Sequence, residues 1–352
     1  GLRALEEAGI DLAAVSTTRP ATLEGYLQGQ RFFELETREF EGLTPIAVSQ
    51  PELLEHLVAR AQQTGHFQLL RGATVRGIQQ RDGTISLRIK TTGEDREQTL
   101  HSSFLVGADG RGSIVRKRLA PQVRRRSAPL DVVWFKLPLP VAWKQPRFRF
   151  EIGGGHLLIS LQAPDGLLQV AWVILKGTYG DLRQRGIEEW ALEMAAHADP
   201  ELSEHITAHR DAISRPFLLD VVTDRVLGWA SPGALLIGDA AHTMSPVGAQ
   251  GLNLALRDAI VTANQLVPAW RKGADLNLAA SRVEILRGPE IDRVQRFAAL
   301  PPRIIMGRSI FHTGLRRALT RLVGIPAIRK RAATSLIVST FLEGSETVRL
   351  EV

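Results

Sequence analysis

Apolar and polar positions along this chain switch between a helical and an alternating period, and the switches mark its elements. Leu2, Leu5 and Ala8 keep helical spacing, and Gly9 suits the residue that closes a helix. "RFFELETREF" reads as a strand. In "SQPELLEHLVARAQQTG", Leu53, Leu54, Leu57, Val58 and Ala61 form one stripe; Pro51 suits a first turn, Glu52 its positive end, and Gly65 the stop. Three extended segments follow: "FQLLRGATVRGIQQ", "TISLRIKT" and "SSFLVGAD". Asp82-Gly83 predicts a hairpin between the first two. The near-continuous apolar run of the third predicts a buried strand, with a helix starting near Ser113.

From Leu130 to Val222 the pattern changes. "DVVWFKLPLP", "RFRFEI", "HLLISLQ" and "LLQVAWVILK" are short β-rich runs between Gly and Pro turns, which predicts a mostly antiparallel sheet interrupted by one helix around Ile187–Ala198. "GALLIGDA" is again a short apolar strand. The helix after it is expected to bury Leu252, Ala255, Leu256, Ala259, Ile260, Ala263, Leu266 and Val267. The remainder reads as mainly helical. The predicted fold class is therefore α/β: a nucleotide-type α/β domain (1–25, 47–125 and 225–275), interrupted by a β-sheet domain (26–46 and 126–224) and followed by a helical region (276–352).

Composition narrows the chemistry. The chain of 352 residues has no Cys, which excludes disulfides, Cys-based zinc or iron–sulfur sites and a Cys nucleophile. No apolar run approaches the ~18 residues of a membrane span, and the first residues lack the layout of a signal peptide, so a cytoplasmic protein is expected. The net charge of +7 is concentrated late: between Arg303 and Arg331 stand eight basic residues and no acidic one. Phe311, Leu315, Leu319 and Leu322 keep helical spacing there. A helix packed on the body with a solvated basic face is favoured over peripheral membrane contact through 303–331. No recognition motif accompanies the charge, so no nucleic-acid partner is expected.

Two stretches carry candidate chemistry. In "LLIGDAAH" a strand ends at Gly238, and Asp239 stands at its carboxyl end, where α/β folds bind ligands and where a carboxylate suits sugar hydroxyls. A turn Asp bonded to its own backbone is the competing reading. Asp239, His242 and Ser245 lie too close in sequence for a hydrolase triad, and no second ligand cluster supports a metal, so none is expected. Pro246, Gly248, Ala249 and Gly251 strip side chains from the approach to a long helix, leaving its N–H groups facing open space. Such a place favours a phosphate, a carboxylate or the carbonyl edge of a reduced flavin, and Asn253 adds donors. The second stretch, "FLVGADGRGSIVRKRL", is a strand, a Gly-rich turn and a basic helix. Its Gly110-x-Gly112 is a broken dinucleotide pattern, with Val115 where a third Gly would stand.

Together, "GADGRGSIVR" and "LLIGDAAHTMSPVGAQGLNLALRDA" resemble the two internal motifs of FAD-dependent aromatic hydroxylases, of the para-hydroxybenzoate hydroxylase and ubiquinone-biosynthesis hydroxylase kind. The resemblance implies an FAD-binding Rossmann-like domain interrupted by a β-sheet substrate domain. It also implies roles. Gly238 and Asp239 would meet ribityl or ribose hydroxyls, and Pro246 and Gly248 would lie beside the isoalloxazine. Gly251, Leu252 and Asn253 would face the flavin O2/N1 edge. Asp109 would serve the pyrophosphate through water or backbone, and Gly110 with Arg111 the nicotinamide nucleotide. Gln50 would lie near the phosphates and Val75 near the adenine.

The implied reaction takes hydride from NAD(P)H to FAD, captures O2 as a C4a-hydroperoxide and transfers oxygen to an aromatic or phenolic small molecule. No catalytic side chain is singled out: His156, Trp172 and Tyr179 are expected to be structural. The family's opening strand with G-x-G-x-x-G is not in this sequence, and the first residue is Gly1. A missing leading segment, and weak FAD binding by this chain, are therefore expected. A reductase of the same fold, or a truncated scaffold without FAD, are the alternatives.

Overall fold

A computed structural model describes residues 1–39, 45–119, 121–125, 128–153, 155–246, 248–299, scattered positions between 314 and 328, and 348–351. The basic stretch 303–331 therefore lies largely outside the described residues.

The chain opens with α1 (Leu2–Glu7), closed by Gly9 at φ +69° as its spacing predicts. β1 (Thr17–Thr18) precedes the hairpin of β2 (Thr22–Leu27) and β3 (Gln30–Glu36), turned through Gln28 and Gly29. β4 (Ala47–Val48) pairs with β1 and leads into α2 (Gln50–Gln62). β5 (Ala73–Arg81) and β6 (Thr84–Thr91) pair through Asp82-Gly83, both at positive φ, as that dipeptide demands. β7 (Gln98–Ser102) completes that sheet. β8 (Leu105–Gly107), α3 (Ile114–Leu119) and β9 (Gln122–Arg124) follow.

Next come the long strands β10 (Leu130–Leu137), β11 (Arg147–Gly153), β12 (His156–Gln162) and β13 (Leu168–Leu175). Three helices succeed them, α4 (Tyr179–Arg185), α5 (Ile187–Ala195) and α6 (Pro200–Ala208), then β14 (Phe217–Leu219). The short strands β15 (Arg225–Leu227), β16 (Ala230–Ser231) and β17 (Ala234–Leu236) lead to the long helices α7 (Gly251–Arg271) and α8 (Leu276–Ala298).

Seven strands form one sheet in the order β14-β10-β13-β12-β11-β2-β3. Every neighbouring pair is antiparallel except β11 and β2. Period-two burial assigns its two faces. Val133, Phe135, Leu158, Val170 and Trp172 pack under α4–α6. Val132, Leu157, Ala171 and Val173 lie on the opposite face with the part-buried Trp134, Phe150, Ile152 and Ile159. Trp172 stacks between His156 and Trp190 at centroid distances of 6.0 and 5.7 Å, so these rings serve the helix-side core.

The single helix expected around Ile187–Ala198 is three short ones. Gly186 at φ +89° divides the first two, and Asp199 with Pro200 starts a third, its carboxylate accepting from Leu202 N. The predicted burial of "SSFLVGAD" is also corrected. β8 has one parallel neighbour, β17, among the described residues, and Val106 is 39% exposed. Likewise Leu54, placed on the buried stripe of α2, is 60% exposed, because only Leu53 reaches the core beside Leu5, Ile10 and Val15.

Beneath α6 the seven-stranded sheet holds a charge cluster. Arg149 is wholly buried, 2.7 Å from Asp199, 3.4 Å from Glu151 and 3.6 Å from Glu24, with its guanidinium over the Tyr26 ring. Carboxylates outnumber cations, so one of them is driven toward its neutral form. Burial, reinforced by Asp199 and opposed by Arg149, pushes Glu151 from its ordinary 4.5 to about 7. A raised folded-state value means the native protein holds a proton that the unfolded chain releases. The stabilisation is complete below about pH 4.5 and is lost as pH rises through about 7. Glu151→Gln is expected to flatten the decline in stability between pH 5 and 8, which the shift bounds at about 3 kcal/mol. Denaturant titrations of both proteins across that range measure it.

Candidate functional site

The site is built where β17 ends. β17 and β8 run parallel, so the turns after both strands open on the same edge of the sheet. After β17 the chain makes one tight turn. Gly238 takes φ +59°, and its carbonyl accepts from Ala241 N and His242 N at 2.9 and 2.8 Å. A Cβ on Gly238 would stand 3.2 Å from the Cβ of Ala255 on α7. Glycine is needed there for its left-handed backbone and for the closeness of that helix.

Asp239 follows, with its side chain about a third exposed. Its Oδ2 accepts from Arg111 Nε at 3.0 Å, and Arg111 also donates to the Asp220 carbonyl at 2.8 Å. Arg111 thus ties the turn after β8 to the turn after β17 and to the end of β14. Lys176 secures that last end by donating to Asp131, Asp220 and the Val221 carbonyl. Burial raises the Asp131 carboxyl, but Lys176 and the amides of Val221 and Gly177 outweigh it and hold it below its ordinary value. Arg116 donates to the carbonyl oxygens of Arg111 and Ala240, a second stitch between the two turns.

Asp109 serves its own helix. Its carboxylate accepts from Ser113 Oγ at 2.5 Å, Ile114 N at 2.7 Å and Val115 N at 3.2 Å, which caps α3, while Gly110 turns at φ +72°. Any part it has toward a phosphate runs through the shape of this turn.

The second wall is the start of α7. Gly248 and Ala249 both have positive φ, and no side chain caps the helix at Gln250. The first N–H groups of α7, at Gly251, Leu252 and Asn253, have no partner within the helix. Gly251, Asn253 and Pro246 are half-buried and Leu252 is exposed, so an anionic edge can reach them. Gln50, the first residue of α2, is exposed, and Val75 on β5 packs against the α/β core.

His242 is buried and turns away from Asp239: its Nε2 lies 2.6 Å from Asp258 Oδ2. The expected apolar face of α7 is corrected accordingly. Its buried positions are Leu254, Arg257, Asp258, Ile260, Val261 and Thr262, and Ala259 is exposed. Charges occupy that face because α8 answers them: Arg287 meets Asp258, and Glu290 meets Arg257. Arg111 as a partner of Asp239, Arg116, Asp258 and Arg287 were not found by sequence reasoning. The one available signal was an Asp standing four residues after buried Leu254 in a helix.

The donor set fits a flavin dinucleotide: a strand-end carboxylate for hydroxyls, an uncapped 21-residue helix for an anionic edge, and glycines between them. Residues 1–283 match the family described as FAD binding domain. The chain belongs to that family. It is 30% identical to 6-methylpretetramide 4-monooxygenase of Streptomyces rimosus over 306 residues, covering 87% of this chain and 71% of that protein. In fold it is similar to the p-nitrophenol 4-monooxygenase PnpA of Pseudomonas putida, with TM-score 0.76, 14% identity and coverage of 95% of this chain and 85% of the other. Klebsiella pneumoniae HpxO complexed with FAD gives TM-score 0.71 and 17% identity over 96% and 87% of the two chains. This family member is thus a flavoprotein oxidoreductase of the monooxygenase kind, with FAD as its cofactor and small aromatic molecules as its class of substrate. Among the described residues no helix is long and apolar enough to cross a membrane.

Proposed function

We propose that this chain binds FAD across the turn at Asp239 and the start of α7, and uses NAD(P)H and O2 to hydroxylate an aromatic or phenolic small molecule. The carrying observation is Asp239 at the end of a parallel strand, beside an uncapped helix N-terminus cleared by Pro246, Gly248 and Gly251. When bound, FAD supplies the redox and oxygen-transfer chemistry that no side chain of the site offers. Asp239 accepts hydrogen bonds from cofactor hydroxyls, sharing its carboxylate with Arg111. The N–H groups of Gly251, Leu252 and Asn253 stabilise negative charge at the ring's pyrimidine edge. The half-buried apolar face of the large sheet, with Trp134, Phe148, Phe150 and Ile159, offers an aromatic substrate stacking surface and excludes water. That face continues through Leu219 to Asp220, the carbonyl partner of Arg111.

The test is a titration of the full chain with FAD, followed by NAD(P)H, a panel of phenols and ¹⁸O₂. Substrate-dependent NAD(P)H oxidation with ¹⁸O in the product is expected. Reduction of substrate without ¹⁸O would replace this reading with that of a reductase, and absence of any FAD-dependent turnover would overturn it. The same titration measures the weak FAD binding expected from the sequence.

A further inference from the structure

Asp258 is wholly buried on α7, where an unpaired carboxylate would cost several kcal/mol. Three donors converge on it. Oδ2 accepts from Gly238 N at 3.0 Å and from His242 Nε2 at 2.6 Å; Oδ1 accepts from Arg287 Nε at 2.8 Å. Arg287 in turn pairs with Glu290, and Glu290 with Arg257, so the cluster joins α7 to α8. Burial would raise the Asp258 carboxyl, but His242 and Arg287 overturn this and hold it below its ordinary value. An ionised carboxylate has no proton to give, so the proton of the short contact sits on His242 Nε2.

The placement of those donors is informative. Gly238 and His242 are the two ends of the turn that carries Asp239, and one oxygen of Asp258 holds both. Asp239 projects from the middle of the same turn toward Arg111. Asp258 also belongs to the helix whose first residues, Gly251 to Asn253, form the other wall of the site. A single rigid helix therefore carries the N–H groups of one wall and the grip on the other. Ala255, three residues before Asp258, is the atom neighbour that a side chain at Gly238 would meet.

We propose that Asp258, oriented by Arg287, is a positioning residue for the cofactor site: by holding Gly238 and His242 it sets the Asp239 carboxylate at a fixed place relative to the start of α7. Binding of FAD then depends on a residue that touches no part of it. The inference rests on the reading that Asp239 meets the cofactor's hydroxyls. It differs from a merely structural role because its effect must pass through Asp239.

The test is a double-mutant cycle on FAD affinity in the full chain, read by flavin fluorescence. Asp258→Ala is expected to weaken FAD about tenfold, Asp239→Ala more, and the double variant no more than Asp239→Ala alone. Additive losses, or an Asp258→Ala protein that binds FAD like the parent, would overturn the proposal. Ile291→Ala opens the same core on α8 and is expected to lower the melting temperature while leaving FAD affinity unchanged. If it weakens FAD as much as Asp258→Ala does, the effect is global and the proposal fails. Should Asp239→Ala bind FAD like the parent, the reading of Asp239 is wrong instead.

A second measurement needs no FAD. Amide hydrogen exchange is expected to speed up at least tenfold at Gly238, Ala241 and His242 in the Asp258 variant and not across α8. A uniform rise over α7 and α8 would overturn the proposal. If Asp258→Ala does not fold, Arg287→Lys, which keeps the charge beside Oδ1 and loses the guanidinium geometry, is expected to show the same selective exchange in smaller measure.

Discussion

Replacing Asp239 by Ala is expected to weaken FAD binding by on the order of 100-fold or more, with little change in the stability of the protein without FAD. Both halves follow from the position of the carboxylate. It stands at the carboxyl end of β17, held forward by a one-turn loop, and its side chain is about a third exposed. A carboxylate accepting from two cofactor hydroxyls makes charge-assisted hydrogen bonds, each worth ~1.5–3 kcal/mol. Its present partner, Arg111, keeps a second acceptor in the Asp220 carbonyl, so loss of the partly exposed pair frees no buried charge. Asp239→Asn retains the shape and one acceptor and is expected to fall between the two. Fluorescence titration with FAD and thermal melts of the protein without it measure the two quantities separately. A loss below threefold would place the hydroxyl contact elsewhere.

The residues of this site were legible in the sequence to different degrees, for physical reasons. A glycine at a left-handed turn, a strand-end Asp and a helix start without side chains depend on backbone geometry, which local residue choice dictates. Gly9, the Asp82-Gly83 hairpin and the approach to α7 were readable for this reason. The strands β10 to β13 were readable because alternation records which face is buried. Pairings between charges distant in sequence leave no such record. Arg111 and Asp239 are 128 residues apart, and Asp258 and Arg287 are 29 apart. A periodicity rule that places charge outside therefore assigned α7 the wrong inner face. Asp109 shows the converse. A strand-end Asp before a Gly-rich turn has the look of a ligand residue, yet its carboxylate is engaged by the first amides of α3.

Arg149→Met is expected to destabilise the fold by about 3–5 kcal/mol, the usual cost of removing one partner from a buried ion cluster. The register of the large sheet explains the severity. Arg149 on β11 lies opposite Glu24 on β2 and Ser160 on β12, and α6 brings Asp199 over it, so the guanidinium is enclosed by acidic groups. Methionine would fill the space of the stem but leave Glu24, Glu151 and Asp199 buried without their central cation. Arg147, 3.8 Å from Glu24, is the nearest substitute, and it lies toward the exposed end of the cluster. Each carboxylate would then have to bind a proton, so the variant's deficit must grow as pH rises. Denaturant titrations at pH 5 and pH 8 are expected to show a larger gap between the two proteins at pH 8. A deficit independent of pH would mean that Arg149 acts through its packing against Tyr26 and Trp143 and not through its charge.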